Sequence, residues 1–447
     1  MKKIFHLAWR SIWRNRRRTI ITVSSIAFSL ALAVFFIAVG DGVYAKLVDD
    51  AARMQAGHMT VENVEYRDAP AIDLIVKDLD KLRKEIEAIP DVERTKALVI
   101  GQGVAKSGAG AIGVIVAGIE PSSEVGSSPL SKKLIAGKYL EDGDQRKVIV
   151  GAELAKRLKL GKKKEATRIA ALLRPTVEFF GVNSDPLVEI IRIRLAIGKK
   201  LVVSSNNVDG ELVEELVRVK GVFKTGAVEI DAYFIQLPID FARKLYGIGM
   251  NQSSQLGVLV KDVADRDEVM ETVAQLIKEN PEVTCKPWEE VLPDLAAYIQ
   301  VDKGSNLIFQ GIFIFLILFI IFNTVLMSVL ERKREFAGLW AVGTPPGRLK
   351  GQILFESGLI GLLGVVIGLG IGGVLAYLTQ IYGIDMSGLM DESTSVSGFA
   401  FDTMLHAKLT SELLLVMGLI VFCATLFISL YPMGRIKRIH VADVLRG

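Results

Sequence analysis

Only two cysteines occur in 447 residues, Cys285 and Cys423, so no disulfide framework braces this chain. They fall in different regions of the sequence, are not expected to pair, and read as two buried thiols. Histidine is nearly as scarce. His6, His58, His406 and His440 are scattered, with no H-x-x-x-H pair and no carboxylate at metal-ligand spacing. Neither a G-x-S-x-G nucleophile turn nor a G-x-x-x-x-G-K-[ST] phosphate loop occurs. The formal charge of +4 is modest and argues against nucleic acid as a partner. A free-standing enzyme is therefore disfavoured, and no catalytic, cofactor or metal site is expected in the chain itself.

What the sequence has in abundance is uninterrupted apolar stretches. Half of its residues are apolar, and mean hydropathy is +0.38. Residues 19–40, 307–330, 357–379 and 413–433 carry no charge, and each approaches or exceeds the ~20 residues that cross a bilayer core. We read spans at 19–40, 307–330, 353–379 and 412–433. The first is longer than the apolar core of a signal peptide, follows a basic segment and lacks a small-residue cleavage site, so it is expected to be an uncleaved anchor.

Basic residues set the topology. Residues 1–18 carry Lys2, Lys3, Arg10, Arg14, Arg16, Arg17 and Arg18; 331–352 carries Arg332, Lys333, Arg334, Arg348 and Lys350. The tail 434–447 carries Arg435, Lys437, Arg438 and Arg446, whereas the loop 380–411 has Lys408 against Asp385, Asp391, Glu392 and Asp402. Both termini and 331–352 are thus expected in the cytoplasm, with 41–303 and 380–411 outside. Within 1–18, Ile4, Phe5, Ala8, Trp9, Ile12 and Trp13 share one face opposite Lys3 and Arg10, an interfacial helix in contact with membrane lipid.

The outer region alternates between strand and helix patterns. Residues 58–64, 94–104, 255–260 and 283–286 read as strands, and 74–89 and 265–279 as helices, two units from opposite ends of one split, ferredoxin-like, porter-like subdomain. Between them 111–119, 147–150 and 201–223 read as a second, β-rich subdomain, with a turn at SNNVDG. Gly108, Gly110 and Gly113 satisfy G-x-G-x-x-G, but they lead into a strand rather than a helix and read as a hairpin turn. The expected fold is an α-helical membrane protein of four transmembrane helices with a large α+β extracytoplasmic domain between the first two.

The segment 331–352 is short, charged with both signs and conspicuously ended. Phe336, Leu339 and Trp340 form an apolar stripe, Gly343 is a plausible C-cap, and Pro345–Pro346 prevent continuation. An amphipathic helix here needs a cover, either membrane or partner; an ordinary solvated loop is the plainer reading. ERKREFAGLWAVGTPPGRLKGQILFESGLIGLLG resembles the signature of FtsX-like ABC-transporter permeases, as do the start LAWRSIWRNRRRTIITVSSIAFS and the end YPMGRIKRIHVADVLRG. His440–Val441 stand where that family often has Asp-Pro. QAGHMTVENVEYRDAP and VFKTGAVEIDAYFIQLPIDFARKLYG look most like its lipoprotein-releasing (LolC/LolE) branch, with the MacB branch next.

The resemblance implies a permease in a bacterial inner membrane, non-catalytic itself, with ATP and Mg bound by a separate cytoplasmic ABC ATPase. Glu331, Arg332, Arg334, Glu335, Gly338, Leu339, Ala341 and Gly343 would belong to a coupling helix docking on that ATPase. Residues 288–304 would be a stalk carrying motion outward, a mechanotransmission arrangement, in a dimer with a second copy or a paralogue. The cargo would be lipoproteins or another hydrophobe passed to a periplasmic carrier. The alternatives are MacB-like efflux with a membrane-fusion protein and an outer-membrane duct, or signalling to a cell-wall hydrolase.

Three further features stand beside the resemblance. Gly364, Gly368 and Gly372 form a double G-x-x-x-G that permits close helix contact, within one chain or across a dimer. Glu356 at the end of span three either snorkels to the headgroups or takes part in coupling. Residues 162–197 interrupt the family pattern; Ile169, Leu172 and Leu173, then Leu187, Ile190, Ile191 and Leu195, fall at helical spacings, implying two short amphipathic helices. They pack as a surface insertion or dock a periplasmic partner or hydrophobe.

Overall fold

A computed structural model describes residues 13, 16–55, 57–124, 128–170, 184–331, 333–342, 344–388, 395–396, 399–400 and 404–436. The interfacial helix expected in 1–18 lies largely outside these residues, as does the tail beyond 436. The described chain forms two compact units, one of Met1–Ala45, Ile299–Gly388 and Thr403–Gly447, the other of Lys46–Tyr298 and Leu389–Asp402.

The first helix, α1 (Arg16–Met54), is 39 residues long, well past the expected end of the span at residue 40. An apolar run in lipid must satisfy every backbone polar group internally, and the helix does so. Beyond residue 40 no proline interrupts it, although Asp41, Lys46, Asp49 and Asp50 end its apolar character.

The α+β unit opens with β1 (Met59–Asn63), α2 (Leu79–Glu87), β2 (Val92–Ser107) and β3 (Gly110–Ile119), followed by β4 (Leu134–Gly137) and β5 (Lys147–Gly151). After the insertion come β6 (Lys200–Asn206), β7 (Leu212–Phe223), β8 (Phe234–Pro238), β9 (Gln255–Val260), α3 (Arg266–Leu276) and β10 (Val283–Pro287). Strands β10-β1-β9-β2 are neighbours and all antiparallel. With α2 and α3 as crossovers, this is the split ferredoxin-like arrangement.

The β-rich part is not a separate sheet. β2 is 16 residues long; its first half pairs with β9, and its second half with β3 and β6. From there the pairings run β3-β8-β5-β7-β6 and return to β2, closing a six-stranded ring. Alternation fills it: Val114 and Val116 are buried while Ile115 between them is 45% exposed. The β2–β3 turn is the two-residue Gly108–Ala109 connection between paired Ser107 and Gly110, so the glycine triplet forms a hairpin.

The insertion contains helix at 163–170 and at Ser184–Arg194. Ala166, Ala170, Ile193 and Ala196 are buried, whereas Ile190 is half exposed. Gly161 passes so close to the Arg192 backbone that a Cβ would lie 1.9 Å from its carbonyl oxygen. Leu172 and Leu173 lie outside the described residues, and the side chain of Leu187 is not described.

The helical unit adds α4 (Pro293–Glu331), α5 (Lys333–Ala341), α6 (Pro346–Tyr382) and α7 (Ser411–Ile436). Among the described residues, four helices, α1, α4, α6 and α7, are long and apolar enough to cross a membrane. Pro293 starts α4 instead of kinking it, at a position where the missing N–H costs nothing. Cys285 is a free, partly buried thiol whose pKa burial pushes up to about 12. Cys423, expected to be buried, is exposed: a charge-free span has a lipid-facing side on which a thiol is as acceptable as any apolar group.

Candidate functional site

The charged segment between α4 and α6 is the helix α5, closed by N–H bonds from Val342 to Gly338 O (3.1 Å) and from Thr344 to Leu339 O (3.0 Å). Ala337 is fully buried and belongs to the bundle core with Leu349 and Ile353. Glu331, Arg334, Glu335 and Ala341 are exposed, Gly338 is half-buried, and Leu339 and Val342 are 42% and 88% exposed. One side of α5 is thus seated in its own bundle while charged and apolar residues stay accessible. Arg332 and Gly343 lie outside the described residues, and nothing is described of the Phe336 and Trp340 side chains.

Gly364, Gly368 and Gly372 of α6 lie against α1 of the same chain. A Cβ at Gly364 would meet Ile26 Cγ2 at 2.7 Å; at Gly368 or Gly372 it would meet Ala27 O at 2.9 Å or Ala31 O at 2.8 Å. This is intrachain contact at near-backbone separation, the geometry small residues permit.

Glu356 is enclosed within the helical unit. It is 4% exposed and lines a cavity of about 20 Å³ with Thr22, Thr324, Ser357 and Thr425. The cavity has room for about one water, and four hydroxyl-bearing residues line it together with the carboxylate. A burying bundle, with polar groups on α1, α4 and α7 facing α6, removes the need to snorkel. Those hydroxyls gave no sequence signal, since Ser and Thr in a membrane helix more often bond their own backbone, as Thr425 also does here (2.7 Å to Val421 O).

A larger cleft of about 560 Å³ opens between α1 and α4. Phe36, Ile37, Leu307, Phe309 and Phe313 make its apolar wall, with Phe36 and Phe313 stacked at 6.5 Å. Asp41, Tyr44, Lys303, Asn306 and Gln310 make its polar end. There the Tyr44 hydroxyl donates to the Asp302 carboxylate and accepts from Asn306 Nδ2 at 2.6 Å, while Lys303 lies over the Tyr44 ring. An apolar trough with one charged end suits an amphiphile better than a wholly polar solute.

The last turns of α1 are stitched to β2. Arg53 bonds both Asp49 (2.8 Å) and Glu93 (3.0 Å), and Lys96 Nζ donates to Arg53 O at 2.8 Å while pairing with buried Glu124 at 2.5 Å. Apart from the Arg53–Asp49 pair within one helix, these contacts join residues at least 28 apart in sequence and carry no sequence signal.

The described residues thus combine four helices long and apolar enough to cross a membrane, a short charged helix between the second and third, and a large α+β domain between the first and second. Residues 19–276 match the MacB-like periplasmic core domain, and 307–441 match the FtsX-like permease C-terminal family. The chain belongs to the FtsX-like, MacB-type permeases. It is 24% identical over 394 residues to the ABC transporter permease YtrF of Bacillus subtilis (strain 168), covering 84% of each chain. It is 23% identical over 394 residues to the macrolide export ATP-binding/permease protein MacB of Nitrosomonas europaea, covering 83% of this chain and 51% of that one. The chain therefore spans about half the length of that fused relative. The crystallised periplasmic region of MacB from Actinobacillus actinomycetemcomitans aligns with a TM-score of 0.33 at 11% identity, over 55% of this chain and 95% of that one.

Proposed function

We propose that this permease converts ATP hydrolysis by a separate cytoplasmic ATPase into movement of its periplasmic core domain, and that its cargo is a lipidated or otherwise hydrophobic molecule taken from the membrane. The observation that carries the reading is α1. One unbroken helix crosses the apolar span, and its last turns are bonded to β2 through Arg53, Glu93 and Lys96. α5 is the element for the ATPase to grip, with Glu331, Arg334, Glu335 and Leu339 accessible and Ala337 anchoring it to the bundle. ATP and Mg sit in the ATPase, both termini face it, and the permease works as a dimer with itself or a paralogue.

Lipoproteins fit the proposed cargo, since the α1–α4 cleft offers an aromatic trough with a polar end to acyl chains and a headgroup. A second reading, export of a soluble hydrophobe through a periplasmic relay, is favoured by the match over 19–276 and by relatives named for macrolide and pyoverdine export. The test is reconstitution with the cognate ATPase in proteoliposomes loaded with a fluorescent lipopeptide. ATP-dependent release of the lipopeptide supports lipid extraction. ATPase stimulation by macrolide-like hydrophobes, with no lipopeptide release, supports the second reading and sinks the first.

A further inference from the structure

The polar end of the α1–α4 cleft displays two opposite charges that the protein leaves unpaired. Asp41, partly buried, and Lys303, exposed, both line it. Neither enters an ion pair among the described residues. Asp41 has Lys303 and Lys408 as nearby charges but bonds to neither. Asp302, beside Lys303 in sequence, is taken by the Tyr44 hydroxyl. The Lys303 ammonium lies 5.5 Å from the centre of the Tyr44 ring, held against the cleft lining by an aromatic face rather than a carboxylate.

A third polar group sits deeper. Gln310 lines the cleft from within the charge-free stretch 307–330, and its side-chain amide makes no hydrogen bond among the described residues. An amide at that depth without a partner costs free energy that a ligand's own polar group can recover.

The order of these groups along the cleft matches the order of groups in a lipid. Asp41 and Lys303 stand where the apolar stretches 19–40 and 307–330 meet polar sequence, the level of headgroups. Gln310 lies about 6 Å further along α4 than Asn306, toward the linkage between headgroup and chains. On α1 the cleft wall from Ala33 to Gly40 rises about 10 Å. That is within the ~15 Å of one leaflet's hydrocarbon, so an acyl chain lies along it without leaving the leaflet.

We infer that the cleft selects a diacyl lipid whose headgroup carries both a primary ammonium and a phosphate, the phosphatidylethanolamine class. The ammonium goes to Asp41, the phosphate to Lys303 and an ester carbonyl to the Gln310 amide. This rests on the reading that the cleft admits an amphiphile, and it names the headgroup. Phosphatidylglycerol would satisfy Lys303 but bring its phosphate beside an uncompensated Asp41. Phosphatidylcholine carries a quaternary ammonium with no N–H to give the carboxylate. A headgroup with both groups complements the pair and donates to Asp41.

The experiment uses the full chain in dodecyl maltoside, with a phosphatidylethanolamine labelled by a fluorophore on its acyl chain and followed by anisotropy. Unlabelled phosphatidylethanolamine is expected to displace the probe at about tenfold lower concentration than phosphatidylcholine or phosphatidylglycerol, the effect of one charge-assisted hydrogen bond. Asp41→Asn removes that preference. Lys303→Gln weakens all three lipids and keeps their order. Lys408→Gln, which alters the other cation near Asp41 but not the cleft lining, leaves both affinity and order. Phe309→Ala combined with Phe313→Ala strips the apolar wall and weakens every lipid. Equal displacement by the three lipids, or a preference that survives Asp41→Asn, overturns the headgroup inference; if the phenylalanine variant still weakens binding, the amphiphile reading stands. Binding unchanged in the phenylalanine variant puts the lipid elsewhere and overturns both.

Discussion

Asn306 of α4 donates its side-chain amide to the hydroxyl of Tyr44 on α1 at 2.6 Å, and the same hydroxyl donates to Asp302. Two helices 262 residues apart in sequence are thereby tied at the polar end of the cleft. Tyr44→Phe keeps the ring and removes both bonds. We expect membrane insertion and ATPase activity to persist, a stability loss of about 1–2 kcal/mol, and cargo release reduced several-fold in the reconstituted system. Release at the unmodified rate would remove the network from the account.

The glycine seam gives a sharper test of packing. At Gly368 a Cβ would lie 2.9 Å from the carbonyl oxygen of Ala27, a backbone atom that cannot swing aside. Gly368→Leu is expected to cost about 1–3 kcal/mol, as overpacking of a close contact does. Gly370→Leu, where nothing lies within 4 Å, should melt close to the unmodified protein. Thermal unfolding in detergent, followed by scanning fluorimetry, compares the two.

On α5, Glu335→Lys reverses an exposed charge and Gly338→Trp places bulk beside Leu339. Both should insert and fold, since Ala337, the buried contact, is untouched. Coupling should fail: ATP turnover continues while release falls by at least about tenfold, the loss that a few lost interface contacts produce. Normal release from both variants would take the coupling role away from α5.

Asp144 in the periplasmic core domain supplies a pH signature. Burial alone would raise its pKa, but hydrogen bonds from Lys147 and Lys220, each 2.6 Å, outweigh it and hold the carboxyl below its ordinary 3.8. A depressed folded pKa stabilises above the unfolded value and loses that contribution as pH falls through the folded one. Asp144→Asn should therefore lower the unfolding temperature at neutral pH, and the gap to the unmodified protein should close as pH drops below 3.8. A gap that persists unchanged into acid would assign the effect to packing.

Local pattern carried much of this architecture. Residues 255–260 read as a strand and form β9 with those bounds, and the two strand–helix–strand units at opposite ends of the domain meet as β10-β1-β9-β2. What escaped was non-local or masked by charge. Nothing in residues 92–107 announces that one strand serves both the ferredoxin-like part and the closed ring, because pairing is decided by partners far along the chain. Asp41 and Lys46 ended the apolar run and so hid 14 further helical residues of α1, since hydropathy reports lipid while helicity depends on the backbone. Glu356 read as either a snorkelling carboxylate or a coupling residue; its enclosure was not legible because the polar residues that line its cavity, Thr22, Thr324 and Thr425, stand on three other helices. The cleft and the Arg53–Glu93 stitch are likewise products of tertiary contact, whereas the segment holding α5 was marked by its own charges and prolines.

The central claim is that this permease is driven by a separate ATPase gripping α5. Affinity purification of the full chain from native membranes in mild detergent, with partners identified by mass spectrometry, tests it most directly. An ABC ATPase subunit that co-purifies with the unmodified chain, and is depleted with Glu335→Lys or Gly338→Trp, is the predicted result. Recovery of the unmodified chain with no ATPase would contradict the account at its base.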